Sequence, residues 1–368
     1  MKELIAIKVP SALISTILVI YLSEIHFTNQ QIGIINAIAS LASMLGSFYF
    51  SYRAAVEKRI ENVLLSSILA LFISTLSLVY LPTFKDIMLS IFLLNFYYNG
   101  YLYTLKISYS KEKRDIKEIQ SKFEFLGGLF YLSGLLLGIF LSKFWSASNL
   151  IIFSGIWFLL GFIFIKGIKK TFLEVLESLS EETSKYVIES LNLAKLFKIS
   201  KKTIPLHLFT FLVFLSIAIR SSQFQLFLKD ILLLNNSLIF LSYFLNSLMT
   251  AIGYKIARMV KEKYLVFISF LYVFPPVLYL LGKLTWVILG IILDGLAYGL
   301  FIVLLDSLII SEHRMEFGTS TLFRNLGWII GSYICGIILP KVGFNSLFLG
   351  CAFAHGIICL LAALLRIS

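Results

Sequence analysis

Apolar runs of about 20 residues, parted by short charged or turn-forming breaks, follow one another along almost the whole chain. A helix that crosses a bilayer needs about 20 mostly apolar residues. Twelve runs meet that length, at 4–22, 29–52, 62–82, 86–108, 123–142, 148–166, 205–228, 234–257, 264–282, 284–307, 320–340 and 344–366. Composition agrees: charged residues make up 14% and the mean hydropathy is +0.91, whereas a soluble domain carries about a quarter charged residues. The expected fold is therefore an all-α membrane protein with twelve transmembrane helices. The N-terminal run has Glu3 near its start and no small-residue cleavage site, so it reads as a retained first helix.

Basic residues orient the chain. With both termini in the cytoplasm, the outer side receives only Lys85, Lys143, Lys229, Lys283 and Lys341. Arg220 falls inside a helix, and the other 26 of the 32 basic residues lie at cytoplasmic ends and loops. That is the positive-inside pattern of a cell-membrane protein, and one helix more or fewer would scramble it. The net charge of +12 sits in short loops between apolar runs. It fits the anionic cytoplasmic leaflet, with lipids as partners, rather than nucleic acid. Cys335, Cys351 and Cys359 lie in apolar runs without metal-ligand spacing, and no P-loop or Ser/His/Asp arrangement is present. The chain is read as a non-enzyme without metal or cofactor.

The chain also repeats. Residues 95–127 align without gaps on residues 295–327, pairing Tyr98 with Tyr298, Leu105 with Leu305, Glu112 with Glu312 and Arg114 with Arg314. Phe123, Leu126 and Gly127 likewise meet Phe323, Leu326 and Gly327. Two positions exchange sign: Lys106 and Glu124 correspond to Asp306 and Arg324. Each sign-swapped pair reads as one salt bridge within its half, structural or gating in role, near the cytoplasmic ends. A parallel repeat of this kind points to two pseudo-symmetric six-helix bundles, at 1–166 and 205–368. Between them, 167–204 carries Glu174, Glu177, Glu181 and Glu182, then Lys195, Lys198, Lys201 and Lys202. Val187, Ile188, Leu191 and Ala194 give that cytoplasmic linker a short amphipathic helix suited to a membrane surface.

Two six-helix halves, a long middle loop and inside termini resemble the major facilitator superfamily over the whole chain. That family carries G-x-x-x-D-R-x-G-R-R between helices two and three. Here the loop runs from Ser51 to Arg59 without the aspartate. Between helices eight and nine, Gly253, Arg258 and Lys261 fit, and Ala257 stands where the aspartate would be. The resemblance implies a monomer, with helices one, four, seven and ten lining a central cavity. It also implies close packing of helix two on eleven and five on eight, matching the small residues at Gly33, Gly336, Gly134 and Gly138.

Charges within hydrocarbon are costly and are functional candidates by default. Asp294 falls near the middle of the tenth run and Arg220 beyond the centre of the seventh, so at 1.5 Å per residue they match in depth. Helical spacing adds Ser216 and Gln223 to Arg220, and Tyr298 and Phe301 to Asp294. Asn95, Tyr98 and Asn99 share a face of helix four, and Asn246 lies with Ser242 on helix eight. These groups suit a medium-sized organic solute. Asp294 is the proton-coupling candidate, because the protonation of a carboxyl in a poorly hydrated cavity depends on the cation beside it. The Arg–Asp pair also reads as a pin between helices. Three functions fit: a secondary or facilitative permease, drug-type efflux included; a non-transporting membrane sensor or assembly protein; and a lipid or lysolipid flippase. Pro275-Pro276 is expected to kink the ninth helix.

Overall fold

In lipid a backbone must satisfy its own N–H and C=O groups, and the apolar runs do so as helices. The computed structural model describes residues 3–56, 60–109, 116–165, 203–257, 259–313 and 317–364, and no strand occurs among them. The first six runs give α1 (Glu3–Glu24), α2 (Asn29–Val56), α3 (Ile60–Tyr80), α4 (Phe84–Tyr109), α5 (Ile116–Leu141) and α6 (Ala147–Phe158, continued by Leu160–Ile165). The later runs give α7 (Ile204–Ser221), α8 (Asn236–Ala257), α9, α10 (Leu284–His313) and α11 (Phe317–Leu364). Helix α9 is made of Leu265–Phe270, a 3-10 turn Leu271–Val273, and Phe274–Leu280. The amphipathic stretch expected within 167–204 lies outside the described residues up to 202, as do residues 57–59 and Arg258 of the loop motifs.

Local chemistry sets several starts. Thr28 and Gln31 cap α2 reciprocally: the Thr28 N–H donates to Gln31 Oε1 (2.9 Å) and the Gln31 N–H to Thr28 Oγ1 (3.2 Å). At α6 the Ser146 hydroxyl accepts the Asn149 N–H at 3.3 Å.

Two runs depart from the expected boundaries. The seventh stops being an α-helix at Ser221, and a short turn at Phe224–Leu226 leads into a π-helical turn at Phe227–Ile231. The last two runs are one helical path, of which Thr319–Leu364 spans 46 residues. At 1.5 Å per residue this is about 69 Å, enough for two crossings of a core about 30 Å thick. The path breaks at Gly343, where φ is 73° and ψ 171°. Cys335 and Leu339 share an apolar cluster with Leu347 and Cys351. Residues 12 apart on a straight helix would sit about 18 Å apart, so the chain turns back on itself at Gly343. Eight helical stretches among the described residues have the length and apolarity to cross a membrane.

The chain divides into two compact units, one of Met1–Tyr21 with Ile38–Lys195 and one of Leu22–Ala37 with Leu196–Ser368. Helix α2 is therefore shared: its first turns belong with the C-terminal helices and the rest with α1 and α3–α6. In the first unit α3 packs on α4 and α6. A Cβ on Gly46 would lie 2.2 Å from the Phe96 carbonyl oxygen, and one on Gly134 would lie 2.5 Å from that of Val9. Gly134 thus packs on α1. In the second unit α7 packs on α11 and α8 on α10. Gly33 and Gly336 bring the start of α2 onto α11, with a Cβ on Gly33 only 2.7 Å from the Gly336 Cα. Polar contacts close the same corner. Gln223 Nε2 donates to the Asn29 carbonyl (2.7 Å), Asn36 Nδ2 to that of Ser222 (2.7 Å), and Lys229 pairs with Glu24 (3.0 Å). Without a hydrophobic force between helices in lipid, such backbone contact does the work of association.

Gly295 is among the tightest, because a Cβ there would fall 2.2 Å from the Asn246 carbonyl oxygen. Gly295→Ala is expected to destabilise by about 1–3 kcal/mol through overpacking. Gly128 has nothing within 4 Å of an added Cβ, so Gly128→Ala should be neutral or slightly stabilising. Equal melting temperatures for the two variants in detergent would refute this account of α8–α10 packing.

Candidate functional site

Two adjacent prolines in α9 release one carbonyl, and that carbonyl organises the site. Pro275 and Pro276 have no N–H to give. In a 3-10 turn residue 275 would donate to the Tyr272 carbonyl, and in an α-helix residue 276 would do so. The Leu271 carbonyl is served by the Phe274 N–H, but that of Tyr272 needs a donor from elsewhere. Arg220, in the last turn of α7, supplies it: Nη1 donates to the Tyr272 oxygen at 3.2 Å. Its Nη2 is ion-paired with Asp294 of α10. The guanidinium also lies 5.7 Å from the centroid of the Tyr272 ring, within cation–π range.

Three helices thus meet on one guanidinium, and the two partners of the ion pair differ in access. The Arg220 side chain is 4% exposed and that of Asp294 21%. Arg220 is the fixed anchor, while the Asp294 carboxylate is the end that remains open. Behind Tyr272, the His355 ring lies 5.4 Å away and its Nε2 sits 3.2 Å from Ser269 Oγ, which accepts from Cys359 Sγ at 3.4 Å. All three cysteines are free and buried.

The other candidates divide. Tyr298 is half-buried, four residues along α10 from Asp294, and packs on the apolar core of its unit. Gln223 leaves the Arg220 stripe, since the α-helix ends at Ser221 and the Gln223 backbone has φ −127°. Its amide serves the α2 corner instead. Asn246 donates to the Ile291 carbonyl at 3.1 Å and so ties α8 to α10. Asn95 and Asn99 are half-buried and bond back to the carbonyls of Ile91 and Asn95 on their own helix, each at 3.0 Å. Tyr98 accepts from Ser11 Oγ at 3.2 Å. Arg324 is paired with Asp306 at 2.6 Å and lies 5.4 Å from the centroid of the Phe214 ring. The side chains of Lys106 and Glu124 lie outside the described residues. Among the described residues, no three His, Cys, Asp or Glu side chains come together to hold a metal.

No family model and no curated protein matches the sequence. Solved structures do match in fold. The crystal structure of the nucleoside transporter NupG superposes with a TM-score of 0.77 at 14% identity, covering 100% of both chains. The E. coli xylose transporter XylE, in a partially occluded inward-open conformation, gives 0.69 at 11% identity, over 98% of this chain and 93% of that one. The human organic anion transporter MFSD10 gives 0.67 at 14% identity, over 98% and 96%. XylE is described as a major facilitator superfamily protein, and the chain shares that fold along its whole length.

The Arg220 hub predicts an asymmetric mutational pattern. Asp294→Leu strands one buried cation and should cost about 3 kcal/mol. Arg220→Met strands both the carboxylate and the Tyr272 carbonyl and should cost more. The double variant should lose less than the sum of the two. Adding Pro276→Ala to Arg220→Met returns a backbone donor to the Tyr272 oxygen and should recover about 1 kcal/mol. Additive losses, or no recovery with Pro276→Ala, in thermal unfolding of the purified protein would remove the hub from the argument.

Proposed function

We propose that this protein is a secondary active or facilitative permease that moves a small organic solute across the cell membrane by alternating access. Protonation of Asp294 takes part in the cycle. The observation that carries the reading is a partly exposed carboxylate halfway along an apolar helix, held by a buried arginine. An ionisable group at such depth is expensive and marks substrate or ion pathways. The shared fold adds support, since nucleoside, xylose and organic anion transporters are built on it.

The accompanying layout is twelve spans in two six-helix bundles, 1–166 and 205–368, with 167–204 as a cytoplasmic linker and both termini inside. The turn at Gly343 separates spans eleven and twelve in this reading. The chain works as a monomer. Arg220, Asp294 and Tyr298 contribute to the solute and proton site from the C-terminal half, and Asn95, Tyr98 and Asn99 from the N-terminal half. Gln223 and Asn246 support it. Asp306–Arg324, with Lys106 and Glu124 as the equivalent positions, stabilises or gates the cytoplasmic ends.

A thermal-shift panel of nucleosides, sugars, amino acids, organic anions and cationic drugs, run at acidic and neutral pH, tests the reading. A ligand at 100 times its Kd stabilises the folded state by about 2.7 kcal/mol. The expected result is a solute whose shift depends on pH and shrinks in Asp294→Asn. Uptake of that solute into proteoliposomes under a proton gradient should lose its gradient dependence in the same variant. Unchanged gradient-driven uptake in Asp294→Asn would end the coupling role.

A further inference from the structure

Helix α1 is apolar and almost wholly enclosed. Beyond its first turn, Lys8, Ser11 and Ser15 are the residues between Lys8 and Leu22 that remain accessible, Lys8 and Ser11 half-buried and Ser15 exposed. Their spacing of three and four residues places them on one stripe of the helix. A stripe that faced lipid at this depth would be apolar. By rise along the helix, Ser15 lies about 18 Å from Glu3, near the middle of a hydrocarbon core about 30 Å thick. At that depth a polar, accessible stripe suits an aqueous cavity rather than lipid.

Two other helices of the same unit complete the surface. Ser11 Oγ donates to the Tyr98 hydroxyl of α4 at 3.2 Å, and Ser15 Oγ and the Tyr131 hydroxyl of α5 are 2.8 Å apart. Lys8 Nζ lies 5.7 Å from the centroid of the Tyr98 ring. The Lys8 stem runs past Gly127, where a Cβ would meet Lys8 Cε at 3.2 Å. Among the described residues, α1, α4 and α5 thus bring together one ammonium and four hydroxyls.

We infer that Lys8, Ser11, Ser15, Tyr98 and Tyr131 form a water-lined subsite for the oxyanion of a soluble organic anion, such as a carboxylate or phosphate ester. All five groups can donate hydrogen bonds, and bonds from an ammonium to an oxyanion are the strong, charge-assisted kind. A low-dielectric surround strengthens them. The inference rests on the transport reading and narrows its solute class. The hydroxyls orient the oxyanion and the ammonium sets the sign of charge admitted.

Charge-selective thiol labelling tests this without a known substrate. Ser15→Cys is introduced into the full chain in zwitterionic nanodiscs, where the buried native cysteines give a low background. Rates with an anionic sulfonatoethyl and a cationic trimethylammonium methanethiosulfonate reagent are normalised to a free thiol. The anionic reagent should be favoured roughly fivefold or more, because the local potential attracts it. Lys8→Gln should bring that preference close to one, and Lys8→Arg should keep it. D-glucuronate and uridine monophosphate should slow the labelling, whereas D-glucose and uridine should not.

No reaction with either reagent would mean that the stripe faces lipid, and faster cationic labelling would reverse the sign of the site. Either result overturns the proposal, as does an anionic preference that survives Lys8→Gln. If anionic lipid in the nanodisc blocks labelling while the soluble anions do not, the occupant is a lipid headgroup and the solute assignment fails. Should Lys8→Gln not fold, the sign measured in Ser15→Cys alone still decides. Labelling needs no turnover, so failure of transport leaves these readings intact.

Discussion

Lipid provides no hydrogen-bond donors, so a carbonyl released inside a membrane protein has to be answered from within the protein. In this chain Pro275 and Pro276 release the carbonyl of Tyr272, and Arg220 answers it. A buried guanidinium then needs a counter-charge, which Asp294 provides. The order of causation runs from backbone to charge. The prolines create the demand, the arginine meets it, and the carboxylate follows from the arginine. The two ends of the pair differ: the buried end holds α7 to α9, and the carboxylate on α10 keeps part of its surface accessible.

Helix packing fixes the level at which that carboxylate stands. Gly295 follows Asp294 directly, and its backbone lies against the Asn246 carbonyl of α8. Asn246 reaches back to the Ile291 carbonyl one turn earlier on α10. Gly299 and Gly253 continue the contact a turn later, with a Cβ on Gly299 only 3.0 Å from the Gly253 Cα. These glycines remove the side-chain layer that would separate the two helices. A shift of α10 along its axis would break the amide bond and the close contact together, so Asp294 cannot drift far from Arg220.

Much of this was legible in the residues, and the exceptions have identifiable reasons. Long apolar runs report helices because burial in lipid forces local hydrogen bonding. The depth match of Arg220 and Asp294 follows from a constant rise per residue. Gln223 escaped its stripe because the helix ends at Ser221, and an end set by tertiary contact with Asn29 leaves no local signal. Pro275-Pro276 announced a break in regularity, which the 3-10 turn at Leu271–Val273 shows. The prolines did not say which donor would fill the gap. Lys8 lay among the lysines assigned to a cytoplasmic end, since it is five residues into α1. Its stripe with Ser11 and Ser15 was visible in the spacing, but only burial of the remaining face of α1 separates an aqueous stripe from a lipid one. Asp306 and Arg324 could be paired from the repeat because they lie near the facing ends of consecutive helices.

The turn at Gly343 has a mechanical consequence. Two helical stretches are joined there by a single residue in the left-handed region, with no loop on either side. Cys335 and Leu339 of one arm pack against Leu347 and Cys351 of the other. Such a joint has almost no slack to absorb displacement. A long connection lets one helix tilt while its neighbour stays put, whereas this hairpin passes a tilt of one arm to the other. His355 on the second arm touches Tyr272, and Gly331 on the first lies against Ala218 and Leu215 of α7. The hairpin therefore holds both sides of the arginine hub, and a displacement at its bend is passed to the groups around Arg220.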